Sequence, residues 1–283
     1  MKRFYMFGIL LSIITAGVFA QDKEKPVMGW QKEMVGTLNF TQTSFSNWKQ
    51  GGEDAWTWQL DINGKFIKNH QNYNWANALK ISYGKTKLGD ADAKKAADEL
   101  RLESVFIYKL GTFVNPYAAV TGETQFTEGF DYSVAPAKKV SAFFDPAYFT
   151  ESIGIGYQPV NQVKTRLGAA LKQTVASKYD SLYTDDPDTP DKIESVRSEV
   201  GAESVTEVSA KVSKNILLTS KLELFSNLDA LNQIDVRWDT IFSSQISKYL
   251  VVSFNVKLFY DRDISIKRQL KQVLSVGLTY NLL

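Results

Sequence analysis

From Trp30 to its end the chain repeats one theme, a run of alternating apolar and polar residues followed by a break. Trp56, Trp58, Leu60, Ile62 and Phe66 alternate with Thr57, Gln59, Asp61, Asn63 and Lys65. Leu100, Leu102, Phe106 and Tyr108 alternate with Glu99, Arg101 and Glu103, and Leu250, Val252, Phe254, Val256 and Leu258 with Ser253, Asn255 and Lys257. A period of two sets one residue class on each face of a β-strand. The pattern predicts twelve strands, at 32–45, 56–67, 73–86, 99–109, 112–126, 147–158, 163–176, 195–213, 216–226, 234–246, 249–260 and 269–282. Many of these exceed the five or six residues usual for a soluble strand. Their connections alternate as well. Long ones (46–55, 87–98, 127–146, 177–194, 227–233, 261–268) take turns with tight ones near His70, Gly111, Asn161, Asn215 and Ser247.

Short turns on one side, long loops on the other and an even strand count are the marks of an outer-membrane barrel. A soluble barrel alternates too, but with its apolar residues inside. Three further features select the membrane form. Aromatics gather near the expected interfaces, with Trp56, Trp58, Tyr83 and Phe149 at the loop end and Tyr73, Trp75, Tyr108, Tyr157 and Tyr280 at the turn end. Such girdles place amphipathic rings at the headgroup layer. The first twenty residues read as a cleavable signal peptide, with Lys2 and Arg3 before an apolar stretch and small residues at Val18 and Ala20. The last strand ends the chain with almost no tail. The expected fold is therefore all-β, a transmembrane antiparallel β-barrel of the outer-membrane type with about 12 strands. The expected division is 1–20 signal peptide, 21–29 short polar lead and 30–283 barrel, in the outer membrane of a Gram-negative bacterium.

Composition narrows the chemistry. Lys+Arg at 33 nearly balances Asp+Glu at 31, which excludes a polybasic nucleic-acid binder. With no Cys, disulfides, thiol catalysis and thiolate metal sites are excluded. The one His confines imidazole chemistry to position 70, in a tight turn between Asn69 and Gln71 with no nucleophile or orienting carboxylate beside it. No catalytic residue, cofactor site or metal site is expected, and the chain is not read as an enzyme.

The terminal run Ser275, Gly277, Tyr280 and Leu282 resembles the signal read by the outer-membrane assembly machinery, with Leu282 where the last aromatic usually stands. A longer resemblance rests on Phe45-Ser46-Asn47-Trp48-Lys49-Gln50-Gly51-Gly52-Glu53, Thr124-Gln125-Phe126, Phe144-Asp145-Pro146-Ala147-Tyr148, Gly154-Ile155-Gly156-Tyr157 and Phe259-Tyr260-Asp261. In these segments the chain resembles a Bacteroidota family of outer-membrane barrels known only as a domain of unknown function. Its most recognisable mark is Asn-Trp-x-x-Gly-Gly. The resemblance implies location and architecture and brings no activity.

Three constellations remain. The polar face toward the lumen carries Lys65, Lys80, Arg101, Lys164, Arg166, Lys172, Arg197, Lys211, Lys221, Arg237, Lys257 and Lys271. Interspersed with them are Asp61, Glu99, Glu103, Glu123, Glu199, Glu203, Glu207, Glu223, Asp235 and Asp239. This mixture fits a water-filled channel without strong ion selectivity. It fits equally an interior filled by ion pairs, such as Arg237 between Asp235 and Asp239. About 8 strands leave a side-chain-filled interior and 16–18 an aqueous channel, so twelve decides nothing. The first long loop holds Phe45, Asn47, Trp48, Gly51 and Gly52, read as a structural corner at the rim or as a constriction or docking surface. The acidic loop 180–191 matches no calcium-binding spacing and reads as a solvated loop, and the aromatic loop 127–146 reads as a cap on the barrel. The expected function is a narrow passive channel for small polar solutes. The alternative is a non-conducting partner in an outer-membrane complex, acting through its outer loops. The expected surroundings are outer-membrane lipid and, during biogenesis, the assembly machinery.

Overall fold

The computed structural model describes residues 27–47, 49–50, 52–185, 189, 192–230, 233–262 and 266–283. The expected signal peptide lies outside the described residues, as do Trp48 and Gly51 of the first-loop motif and Asp186, Asp188 and Asp191 of the acidic loop.

Each alternating run forms a strand: β1 (Gly29–Thr43), β2 (Ala55–Asn69), β3 (Tyr73–Leu88), β4 (Lys94–Tyr108), β5 (Val114–Thr124), β8 (Ala147–Val160), β9 (Val163–Val175), β10 (Val196–Ser213), β11 (Ile216–Asn227), β12 (Ile234–Gln245), β13 (Leu250–Tyr260) and β14 (Gln269–Asn281). Each pairs antiparallel with its neighbours in chain order, and β14 returns to β1, closing a barrel of twelve strands. Closure removes the free edges that an open sheet would present to lipid. Two further strands, β6 (Gly129–Asp131) and β7 (Lys138–Ser141), make a separate hairpin inside the loop between β5 and β8. The alternation did not foretell this hairpin, because its strands are too short to show a period.

The structure also corrects one connection. Residues 87–98 read as a long loop, yet β3 runs to Leu88 and β4 starts at Lys94. The segment 94–98, made of Lys, Ala and Asp, has little intrinsic strand preference. It joins the sheet because its backbone pairs with β3, through a bulge at Gly84/Lys85.

The usual soluble arrangement is inverted. The buried polar groups include Ser82, Ser152, Arg166, Thr174, Glu199 and Glu203, whereas Leu102, Ile153, Leu167, Val200, Leu274 and Leu278 are exposed. On β5, β8 and β9 the inward positions are crowded. Gly154 faces Gly168 across the β8–β9 pair, and a Cβ added at Gly168 would stand 2.2 Å from the Ile153 carbonyl oxygen and 2.7 Å from the Tyr117 hydroxyl. Only glycine lets Tyr117 lie over this part of the wall. Ring contacts mark both ends of the barrel, Trp58–Tyr83 at 5.8 Å toward the long loops and Trp30–Trp75 at 5.9 Å and Tyr73–Phe106 at 5.5 Å toward the tight turns.

Candidate functional site: a charged lattice across the lumen

Alternation places the charged residues of each strand on the inner face, and a ring of twelve strands brings opposite walls within reach of long side chains. Arg101 on β4 binds Glu123 on the adjacent β5 through Nη1 at 2.9 Å and crosses the lumen to Glu223 on β11 through Nη2. Arg237 on β12 reaches Glu123 and, at 3.5 Å, Glu99 on the opposite wall. Lys257 on β13 binds Glu99 at 2.9 Å, and Lys80 on β3 binds Asp239 on β12 at 3.0 Å and Glu99 at 3.5 Å. These strands stand five or six places apart around the ring, nearly as far as the barrel allows.

Two further clusters extend this lattice. Glu103 accepts Arg166 Nη2 at 2.7 Å and the Lys221 ammonium, while Arg166 Nε also meets Glu203 at 3.2 Å. Arg166 lies 5.9 Å from the Tyr117 ring centre. On the other side Lys172 binds Asp235 at 2.7 Å, Asp261 at 2.8 Å and Glu199 at 3.6 Å, and Arg197 joins through Glu199 at 3.8 Å. Among the candidate lumen residues Lys65, Lys164, Lys211 and Lys271 are exposed and enter none of these clusters.

The sequence suggested Arg237 between Asp235 and Asp239. The structure corrects this pairing. Asp235 goes to Lys172 and Asp239 to Lys80, while Arg237 reaches across the barrel. Side chains two apart on one strand run parallel, and a long guanidinium finds better geometry on the wall it faces. Asp261 was missed because it is the first residue beyond β13 and reads as loop. Its sequence signals are a polar residue directly after an alternating run and its place in the Phe259-Tyr260-Asp261 segment of the family resemblance.

The outer rim is organised by two carboxylates. Asp98 accepts the Phe126 N–H at 2.7 Å, the Thr127 N–H at 2.9 Å, the Thr127 hydroxyl at 2.7 Å and the Lys95 ammonium at 2.9 Å. Buried Asp145 accepts the Ser177 N–H and hydroxyl, both at 3.1 Å, and the Lys178 N–H at 2.8 Å. It thereby ties the 125–146 loop to the 176–195 loop. A one-turn helix, α1 (Asp180–Tyr183), sits in the second loop, and Tyr183 donates to the Val140 carbonyl at 3.0 Å. Burial, reinforced by the Asp145 carboxylate, pushes the Tyr183 phenol up. Phe144 takes a left-handed backbone (φ 57) and packs on Phe149 at 5.9 Å.

In the first-loop motif Asn47 is left-handed (φ 54) and Gly52 has φ 141, with the Phe45 ring against it. A Cβ at Gly52 would lie 2.6 Å from Phe45 Cζ. The Phe45 N–H donates to Asp54 at 2.7 Å. His70 accepts the Asn72 N–H at 3.3 Å in its turn and stacks on Tyr73 at 4.7 Å. At the last strand Ser275 bonds Ser253 at 2.8 Å, Gly277 faces Asn39, Tyr280 is exposed, and the Leu282 N–H donates to Met34 at 2.7 Å.

A closed antiparallel barrel with charges inside, aliphatic side chains outside and aromatics at both ends has only one stable home. The chain is an outer-membrane β-barrel. Comparison with known families gives two adjoining matches, each over less than half the chain. Residues 40–130 of this barrel match a model described as "Protein of unknown function (DUF3078)", and residues 146–282 one described as "Protein of unknown function, DUF481". No curated protein matches the sequence. Similar solved structures include the translocator domain of the autotransporter NalP from Neisseria meningitidis, at 12% identity and TM-score 0.42, covering 97% of this chain and 94% of that one. The COG4313 outer membrane channel from Pseudomonas putida F1 is similar at 9% identity and TM-score 0.41, covering 94% and 97%. The NanC porin is similar at 7% identity and TM-score 0.39, covering 87% and 97%. None of these likenesses extends to an activity.

The lipid-facing wall holds one more feature. Glu151 on β8 lies opposite Val120 and Leu171 in register, on the outward face, beside Ala118, Ile153, Ala169 and Val200. Its Oε2 is buried and has no hydrogen-bond partner.

Proposed function

We propose that the protein is a non-conducting interaction barrel of the outer membrane, working through its outer rim rather than through its lumen. The observation that carries this reading is the charged lattice. Arg101–Glu223, Arg237–Glu99, Lys257–Glu99 and Lys80–Asp239 each tie one wall to the opposite one, so the ions that line a pore are here spent on each other. The lattice fits the filled-barrel side of the choice that strand number left open. The loops at 125–146 and 176–195, joined where Asp145 binds Ser177 and Lys178, supply the working surface. In this reading the chain is exported on its first twenty residues and inserted by the assembly machinery through Ser275, Gly277, Tyr280 and Leu282. It performs no catalysis.

The test is conductance of the refolded protein in a planar bilayer at high salt, with folding verified by its heat-modifiable gel mobility. The wild-type barrel is expected to be silent. Discrete, reproducible wild-type steps that shift with Arg237→Ala would establish the channel for small polar solutes instead.

A further inference from the structure

The outward faces of β5, β8, β9 and β10 meet row by row in register. One row runs Val120, Glu151, Leu171 and Val200, and the next row toward the tight turns runs Ala118, Ile153, Ala169 and Ala202. The small alanine side chains leave an open groove of about 450 Å³ beside Glu151, walled by Ile153, Leu171 and Val200.

The depth of this groove follows from the strand. Phe149 precedes Glu151 by two residues on the same face, opposite Gly122 of β5 and against the Phe144 ring of the outer rim. Rings at such an interface sit among the lipid headgroups. Two residues of a strand tilted by about 40° descend about 5 Å along the membrane normal. Glu151 therefore lies where the acyl chains of the outer leaflet join their headgroups. Ile153 and Ile155 continue the same face into the hydrocarbon.

An ionisable side chain at this level is expensive and calls for a partner. Within the chain it has none. Oε2 is buried without a hydrogen-bond partner, and among the described residues no Lys or Arg pairs with the carboxyl. An ionised carboxyl only accepts hydrogen bonds, so the missing group is a donor. A turn about the soft last torsion of the side chain presents either oxygen to the groove.

The two rows hold no side-chain donor of their own. A second copy docked about a two-fold axis along the membrane normal matches each row with itself, which sets the carboxyls against each other or against aliphatic side chains. Lipid, in contrast, bathes this wall throughout. An ester-linked chain has only acceptors at its linkage, whereas an amide-linked or hydroxylated chain carries an N–H or O–H at the depth of Glu151. We infer that the groove binds one outer-leaflet lipid of the second kind, its chain over Ala118 and Ala169 and its linkage donor on the Glu151 carboxyl. The site lies on the lipid side of the wall, so it is independent of whether the lumen conducts.

The test is native mass spectrometry of the full refolded chain, released from micelles that hold equal amounts of dipalmitoyl phosphatidylcholine and N-palmitoyl sphingomyelin. The two lipids share a phosphocholine headgroup, and only the sphingomyelin has an amide N–H and a hydroxyl at its linkage. The wild type is expected to retain sphingomyelin over phosphatidylcholine by at least about tenfold, the ratio that one hydrogen bond to a charged group supplies. Glu151→Leu removes the acceptor, and Ala169→Leu fills the groove while keeping the carboxyl; both should lose the preference. Leu274→Ala, on the opposite wall, should keep it. The folded state of each variant is verified by heat-modifiable mobility, and Ala118→Leu fills the groove from β5 if Ala169→Leu loses its folded band. Added sphingomyelin should also raise the urea midpoint of the wild type and leave that of Glu151→Leu in place, since a ligand that binds only the folded barrel stabilises it.

Equal retention of the two lipids by the wild type overturns the inference. So does a preference that survives Glu151→Leu or the filled groove, one that Leu274→Ala also abolishes, or a urea midpoint that sphingomyelin moves equally in wild type and Glu151→Leu. A wild-type dimer that the filled groove dissolves makes a second copy the occupant and overturns it as well.

Discussion

Arg101→Ala removes the residue that joins adjacent Glu123 to distant Glu223, bound through Nη1 at 2.9 Å and through Nη2. The side chain is 13% exposed and its acids 17% and 18%, so all three are well shielded from bulk water. Two unit charges 4 Å apart attract by about 4 kcal/mol at the effective dielectric of such a site. Removing one member of a buried pair costs about 3–5 kcal/mol. Here each acid keeps another cation. Glu123 retains Arg237, and Glu223 retains Lys221 at 3.2 Å and Arg237 at 3.7 Å. The net loss should therefore fall to about 2–3 kcal/mol, at or just below the bottom of that range. Urea unfolding in micelles, followed by tryptophan fluorescence, measures it. Combining the substitution with Glu223→Gln closes a double-mutant cycle across the lumen, with an expected coupling of about 1–2 kcal/mol. The same variant, freed of one wall-to-wall tie, should flicker open in a planar bilayer where the wild type is silent. Coupling within about 0.5 kcal/mol of zero would refute the lattice, because two residues on strands that never touch would then be independent.

Three further outcomes follow from single contacts. Glu151→Leu should stabilise the barrel by about 1 kcal/mol in the same urea assay, since it removes a carboxyl whose buried Oε2 has no partner on the lipid-facing wall. Gly168→Val should abolish the heat-modifiable folded band, because a Cβ there meets the Ile153 carbonyl at 2.2 Å and the strands cannot part without losing the ladder. Asp145→Ala should loosen the two long loops, leaving the Tyr183–Val140 bond as a remaining tie, read as faster tryptic cleavage at Lys138, Lys139 and Lys178, with global unfolding shifted by less than about 2 kcal/mol.

The sequence alone determined the strands, their number and which face of each is wet. Those properties follow from a local period of two, visible wherever an alternating run such as Leu250–Leu258 stands between breaks. It also separated tight turns from long loops, since backbone chemistry within a few residues decides that. It misjudged residues 87–98, where pairing with β3 overrode a loop-like composition, and missed the β6–β7 hairpin, whose strands are too short to carry a period. The tertiary structure decided what the lumen does. Arg237 has neighbours Asp235 and Asp239 in sequence but finds Glu223 beside it on β11 and Glu99 and Glu123 across the lumen, because closing the ring sets β12 opposite β4 and β5. The short β1–β14 seam is likewise a property of closure. Nothing in β1 or β14 taken singly says that their pairing stops at Asn39 and Gly277.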